Sequence, residues 1–92
     1  MMKEYPKTIQ GAVRQLLLEL PDWDKLAIKN TSFEGLDKFH LALGNYIRNE
    51  FGLWTKNREL LRDCLPGANE PNPDDAPSVI IKSLWKSLQA SA

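Results

Sequence analysis

The sequence contains few of the residues that bind metals or form disulfides. Among its 92 residues there is one cysteine, Cys64, and one histidine, His40. A single cysteine excludes a disulfide framework within the chain. One histidine and one cysteine fall short of the four ligands of an ordinary zinc site. We therefore expect neither a cofactor nor a metal.

The chain also lacks an excess of charge and a long apolar run. Its 12 Lys+Arg balance its 12 Asp+Glu, whereas nucleic-acid-binding domains usually carry a clear basic excess. The longest apolar run, the three leucines at 16–18, is far shorter than the ~20 residues that span a bilayer. The N-terminal residues show no signal-peptide core. These absences predict a cytoplasmic protein that binds no membrane, and they disfavour nucleic acid as its partner.

The sequence shows helical periodicity, and no segment shows the sustained alternation of a strand. A chain of this length holds one modest core, so we expect one domain over residues 1–92 with its core at about 8–88. The fold class is predicted to be all-α, a compact bundle of four helices plus one short helix. The predicted segments are 8–20, 22–29, 33–51, 57–65, a proline-containing connector at 66–73, and a last helix from about 74–77 through 88.

Polar residues at the segment starts predict helix caps. The expected caps are Thr8, Asp22 or Asp24, Ser32, Asn57 and Asp75. In the second segment, we expect Trp23, Leu26 and Ala27 to face inward. The three tryptophans, Trp23, Trp54 and Trp85, are expected in the core, although one exposed at a groove would be a partner anchor.

Residues 40–54 depart from ordinary bundle sequence. Gly44 lies in mid-helix, where glycine costs stability, and this predicts a close approach by another helix or backbone. Gly52 occupies the position at which a left-handed residue ends a helix. Leu53 and Trp54 follow it, and we expect both to fold back and bury themselves as an apolar clasp.

This segment resembles a small bacterial domain family of unknown function. The string H-x-x-L-G-x-Y-I-R-N-x-F-G-L-W and a later P-D-D are similar to the family's H-F-x-L-G-x-W-I-R-N-x-x-G-L-W and P-D-D-x-S, over about residues 36–88. The chain departs from it at Leu41, Tyr46 and Pro77. The resemblance implies one compact helical unit, and it assigns no activity. The motif residues are His40, Gly44, Arg48, Asn49, Gly52, Leu53, Trp54, Asp74 and Asp75.

Several motif residues have both a structural and a functional interpretation. An arginine beside an apolar stripe needs a carboxylate, so we expect a structural pair between Arg48 and Asp75, with a ligand contact as the alternative. His40 is predicted to pack and hydrogen-bond, with a general base or metal ligand as the alternative. Asp74 and Asp75 are expected to begin the last helix. Cys64 is expected to be an inert core thiol and not the nucleophile of a dyad with His40.

Three functional hypotheses follow, and the first is preferred. The protein is predicted to be a non-enzymatic protein-interaction or regulatory module, with Trp54, Arg58 and Arg62 as candidate partner contacts. Whether it is a monomer or a homodimer stays open. The alternative is a nucleic-acid-associated protein, although acidic residues alternate with the basic ones and indicate a solvated face. Its patch would comprise Arg48, Lys56, Arg58 and Arg62. The third hypothesis is a small-molecule or metal site at His40, Arg48 and Asp75.

Overall fold

The computed structural model describes residues 5–53 and 57–90, and within those ranges every regular element is helical. The all-α prediction is confirmed. Trp54 and Lys56 lie outside the described residues. Among residues 5–53 and 57–90, none of the helices has the length and apolar character of a membrane span. The elements are α1 (Ile9–Glu19), α2 (Asp22–Lys29), a 3-10 helix (Phe33–Phe39), α3 (Ala42–Glu50), α4 (Arg58–Cys64) and α5 (Ala76–Ala90).

The last helix, α5, is the centre of the bundle and contacts every other helix. Pro77 lies in its first turn, where a missing N–H costs no intrahelical bond, and its side chain is fully buried. Trp85 is partly buried, and its indole N–H donates to the Thr31 carbonyl at 2.7 Å. The core around α5 comprises Ala12, Val13, Leu16, Ile28, Leu36, Ile47, Phe51, Leu53, Leu60, Leu61, Cys64, Ala76, Ile80, Ile81, Leu84 and Leu88.

Three predicted caps are confirmed. The side chains of Thr8, Ser32 and Asn57 accept hydrogen bonds from backbone N–H groups in the first turns of α1, the 3-10 helix and α4. The bounds of α2 also agree with the prediction, but its cap does not. Pro21 occupies the cap position without a side-chain hydrogen bond, and Asp22 instead forms an ion pair with Lys25 at 3.3 Å.

The prediction of one helix over residues 33–51 is wrong. A 3-10 helix ends at Phe39, residues 40–41 form a turn, and α3 begins at Ala42. Residues three apart share a face in a 3-10 helix, so Leu36 and Phe39 still pack against the core. Because this face is preserved, the apolar stripe continues across the break and hides it from periodicity.

The predicted inward face of α2 is also wrong. Trp23 and Leu26 are 77% and 56% exposed, and Ala27 is exposed as well. The buried residue of α2 is Ile28, which lies on another side of the helix. In this orientation the Lys25 ammonium donates to the Leu17 carbonyl at 3.0 Å.

Candidate functional site

An apolar groove of about 340 Å³ lies where the end of α1, the helix α2 and the helix α3 meet. We call it the α2–α3 groove. The proline that follows Leu20 turns the chain sharply between α1 and α2, and this corner forms one wall. The other wall is one face of the 3-10 helix and α3, since its residues recur at spacings of three and four. The groove is lined by Glu19, Leu20, Pro21, Asp24, Ile28, Phe39, Ala42, Leu43 and Tyr46.

One hydrogen bond joins the two walls of the groove. The Tyr46 hydroxyl donates to Glu19 Oε2 at 2.6 Å, and Gln15 Nε2 donates to the other carboxylate oxygen at 2.7 Å. Donation to a carboxylate favours the neutral phenol. This bond, with desolvation and the nearby negative charge, raises the pKa of Tyr46 to about 12. The phenol therefore remains a hydrogen-bond donor throughout the neutral range.

Two large apolar side chains that neighbour lining residues in the sequence are exposed. Trp23 immediately precedes the lining residue Asp24 and is 77% exposed. Leu41 immediately precedes the lining residue Ala42 and is 76% exposed. This groove was not predicted from the sequence. The sequence did contain a signal for it: Leu41 and Tyr46 are large apolar or aromatic residues that lie outside the apolar stripe facing the core.

The structure does not bring His40 into one cleft with Arg48 and Asp75, the other members of the predicted small-molecule site. His40 is half-buried in a small cleft with Leu36, Asp37, Ser78, Ile81 and Lys82. Neither Arg48 nor Asp75 lines that cleft. Among the described residues, no three His, Cys, Asp or Glu side chains cluster where they could hold a metal ion.

Arg48 is buried as expected, but its carboxylate partner differs from the prediction. Its Nη1 lies 3.7 Å from Asp74 Oδ1, and its Nη2 also donates to Asn45 Oδ1. Asp75 directly precedes α5, and its backbone carbonyl accepts from Ser78 Oγ. The Asn72 side chain accepts a hydrogen bond from the Asp74 N–H and forms a short turn. In this turn the Asp74 carboxylate lies next to Arg48.

Other motif residues form the end of α3. Gly52 has φ of 66°, as predicted, and the Leu53 N–H donates to the Arg48 carbonyl at 3.0 Å. This is the bond that closes a Schellman turn. Leu53 is buried, whereas Trp54, the other half of the predicted clasp, lies outside the described residues. Asn49 is exposed on α3.

Gly44 is buried against α5, although the space there is wider than the prediction implied. A Cβ at this position would lie 3.7 Å from Pro77 Cβ and 3.7 Å from Arg48 Nη1. These are ordinary van der Waals distances. The site therefore has room for the methyl group of an alanine. The same distances leave no room for a long side chain.

The two remaining candidates, Arg58 and Arg62, are exposed on α4. Of the predicted nucleic-acid patch, Arg48 is 7% exposed and paired with Asp74, and Lys56 lies outside the described residues. Cys64 is buried on the opposite side of α4, and desolvation raises the pKa of its thiol to about 12. A thiol with so little thiolate at neutral pH is a poor nucleophile.

Comparison with known proteins gives a family without an assigned activity. A family model described as "Domain of unknown function (DUF6794)" matches residues 5–88. Neither a curated protein nor a solved structure matches the chain. The match extends the resemblance from the second half of the chain to include α1 and α2, and thus the α2–α3 groove. The motif and the bacterial origin that the resemblance implied remain predictions. Because the match spans nearly the whole chain, the protein belongs to the DUF6794 family of domains of unknown function.

Proposed function

We propose that the protein is a non-enzymatic protein-binding module and that the α2–α3 groove receives an apolar side chain of its partner. One observation carries this proposal: Trp23 and Leu41, each next in sequence to a residue that lines the apolar groove, are about three-quarters exposed. Ordinary monomer surfaces expose large apolar side chains singly. Two of them next in sequence to groove-lining residues match the anchor-and-pocket arrangement of interaction hot spots.

The charges of the groove favour a particular partner chemistry. Glu19 and Asp24 line its α1–α2 wall, and among the described residues no lysine or arginine lines it. On the other wall, Lys38 Nζ lies 5.4 Å from the centroid of the Phe39 ring. A partner segment with an apolar anchor and a lysine or arginine next to it would place its cation at the carboxylates. We therefore propose an amphipathic, basic segment as the occupant.

The proposal includes the absence of catalysis and a cytoplasmic location. The two residues with the strongest nucleophile and base chemistry, Cys64 and His40, are on different elements, and the thiol is buried. Nucleic acid is disfavoured because the arginine expected to extend the basic patch, Arg48, is buried in an ion pair. Monomer and homodimer both remain compatible with the groove.

Site-specific photo-crosslinking in the native cell tests the groove directly. A photoreactive residue is placed at Leu41 in one variant and at Lys86, an exposed α5 residue outside the groove lining, in the control variant. We expect one discrete crosslinked protein from position 41 and none from position 86. The same protein should be lost when Trp23→Ala is added. Equal crosslinking from both positions, or none from position 41, would contradict the proposal.

The crosslinked partner then allows a quantitative test of its chemistry. Calorimetry with the purified partner should show at least ~10-fold weaker binding for Trp23→Ala, the loss typical of a hot-spot truncation above 1 kcal/mol. Asp24→Asn should weaken binding more at low salt than at high salt, because the attraction to a basic segment is screened. The exposed Arg14→Gln variant serves as the control and should bind like the wild type.

A further inference from the structure

A second cleft, of about 330 Å³, lies between α4 and the connector that precedes α5. We call it the arginine cleft. Arg58 and Arg62 are four residues apart on one face of α4, so both guanidinium groups reach the same space. It is separate from the α2–α3 groove and shares no lining residue with it. The cleft is lined by Leu53, Asn57, Arg58, Leu61, Arg62, Glu70, Pro71 and Pro73.

The helix α4 sorts its charges onto two sides. Glu59 forms an ion pair with Lys7 at 3.5 Å, and Asp63 Oδ2 accepts from the Ile9 N–H at 2.7 Å. Both acids are therefore engaged with the segment at the start of α1. In sequence the acids alternate with the arginines and suggest mutual neutralisation, but the fold directs them to a different neighbour.

Within residues 5–53 and 57–90, the two arginines have no such partner. Among the described residues, neither Arg58 nor Arg62 forms an ion pair or a side-chain hydrogen bond. Glu70 lies in the same cleft but forms no ion pair with either of them. Guanidinium groups bind planar oxyanions through paired N–H donors. Two of them in one cleft constitute an anion-binding arrangement.

The rest of the lining is apolar or already engaged. Leu53 and Leu61 form a buried apolar base, and two prolines of the connector form a wall. Asn57 is occupied because its amide donates to the Pro6 and Phe51 carbonyls and its oxygen accepts from the Leu60 N–H. The cleft therefore offers two cations and an apolar surface, while Glu70 disfavours a ligand with a second negative charge.

We propose that the arginine cleft binds a small aliphatic monocarboxylate, with its carboxylate on Arg58 and Arg62 and its chain against Leu53, Leu61 and the prolines. The single charge follows from the presence of one acid beside two cations. The aliphatic chain follows from the apolar base. This inference is independent of the partner proposed for the α2–α3 groove, since the two sites are separate.

Titration of the ¹⁵N-labelled full chain with sodium hexanoate, followed by NMR, tests the proposal. We expect amide shifts confined to α4 and residues 70–73, with an affinity at least ~10-fold above that for acetate, because the longer chain adds buried methylene groups. Arg62→Gln should weaken hexanoate binding about 10-fold or more, as expected for a lost charge-assisted hydrogen bond. Glu70→Gln should strengthen it. Arg14→Gln is the matched control and should leave the affinity unchanged.

Several outcomes would overturn the inference. Equal affinity for acetate and hexanoate would mean that the apolar base does not contribute to binding. Equal amide shifts with sodium chloride would mean that the shifts report ionic strength and not binding. Tighter binding of inorganic phosphate than of hexanoate would make the cleft a phosphate site. Tight, steeply salt-dependent binding of a single-stranded oligonucleotide would favour the nucleic-acid alternative. If Arg62→Gln fails to fold in a melt, Arg58→Gln supplies the same comparison.

Discussion

The helices α2 and α4 are similar in length, eight and seven residues, but they use their apolar side chains in opposite ways. Leu60 and Leu61 of α4 are buried in the core. In α2 only Ile28 is buried, while Trp23 and Leu26 are exposed. The sequence predicted that Trp23 and Leu26 of α2 face inward, and it placed Cys64 of α4 in the core. Apolar spacing therefore identified each helix but not the direction in which its face points.

Polar contacts explain the difference in orientation. Asn57 fixes the start of α4 through hydrogen bonds to the Pro6 and Phe51 carbonyls, and Asp63 fixes its other end to Ile9. These contacts lie beside the apolar face and keep it inward. In α2, Lys25 donates to the Leu17 carbonyl, and Gln89 of α5 donates to the Lys29 carbonyl. These anchors hold a different side of α2 against the bundle.

The largest expected contrast is between truncations on the two helices. Leu60→Ala, at a fully buried position, should lower the free energy of unfolding by ~2–5 kcal/mol because it leaves a cavity. Leu26→Ala, at a position 56% exposed, should change it by less than about 0.5 kcal/mol. Urea denaturation of both variants measures the difference. Equal losses would mean that α2 buries its apolar face after all.

Local chemistry in the sequence was sufficient for much of the fold. Thr8, Ser32 and Asn57 are caps because their side-chain oxygens replace missing backbone partners, and this requires only neighbouring residues. The bounds of α2 followed from Pro21 and the break after Lys29. The turn at residues 40–41 was not predictable from periodicity, because Leu36 and Phe39 face the core in either kind of helix.

The candidate site was less predictable because its residues come from separate segments. Glu19, Asp24 and Tyr46 have no shared motif, and only the fold brings them to one groove. The choice of Asp74 over Asp75 as the partner of Arg48 depends on a turn at Asn72 that spacing does not reveal. The arginine cleft was concealed by alternating charges, because the acids of α4 contact residues at the start of α1.

A second prediction compares the polar anchors of the two helices. Asn57→Ala should cost about 1–3 kcal/mol, because two carbonyls lose their donor in or near the core. Asp22→Ala should cost about 0.5 kcal/mol or less, since the Asp22 carboxylate is fully exposed and solvent screens its ion pair with the partly buried Lys25. Thermal melts of the two variants at one pH make the comparison. A loss for Asp22→Ala as large as that for Asn57→Ala would refute the stronger anchoring of α4.

A third prediction concerns the buried side of α3 opposite the groove. Gly44→Leu should cost ~1–3 kcal/mol by overpacking against α5. Gly44→Ala should be neutral or stabilising by up to about 1 kcal/mol, because the added methyl meets only contacts at 3.7 Å and alanine favours a helix. Urea denaturation of both variants shows whether α3 and α5 are in tight contact at Gly44 or leave space for a methyl group. A clear loss with alanine would restore the close approach that the sequence predicted.

A fourth prediction tests the ion pair that joins α3 to the start of α5. Asp74 is 62% exposed, so its coupling to Arg48 should be about 1 kcal/mol or less. The double-mutant cycle uses Arg48→Met with Asp74→Asn, and a parallel cycle with Asp75→Asn is the control. The control cycle should be additive. A larger coupling with Asp75 than with Asp74 would reverse the pairing seen here.

The smallest expected effect is at the groove, where Tyr46 donates to Glu19 across the two walls, because Tyr46 is 37% exposed and solvent screens this bond. The pKa of Tyr46, about 12, is above its ordinary value of 10.0, and an acid with a raised folded pKa stabilises the fold while it is protonated. That contribution is fully present below pH 10 and is lost as the pH rises from 10 through 12. Ultraviolet difference titration of the wild type against Tyr46→Phe isolates this phenol. Glu19→Gln should lower its pKa toward 10, because the charged acceptor that favours the neutral phenol is removed. An unchanged pKa in Glu19→Gln would show that the walls are not joined by this bond, and the groove would then be free to widen for its partner without breaking it.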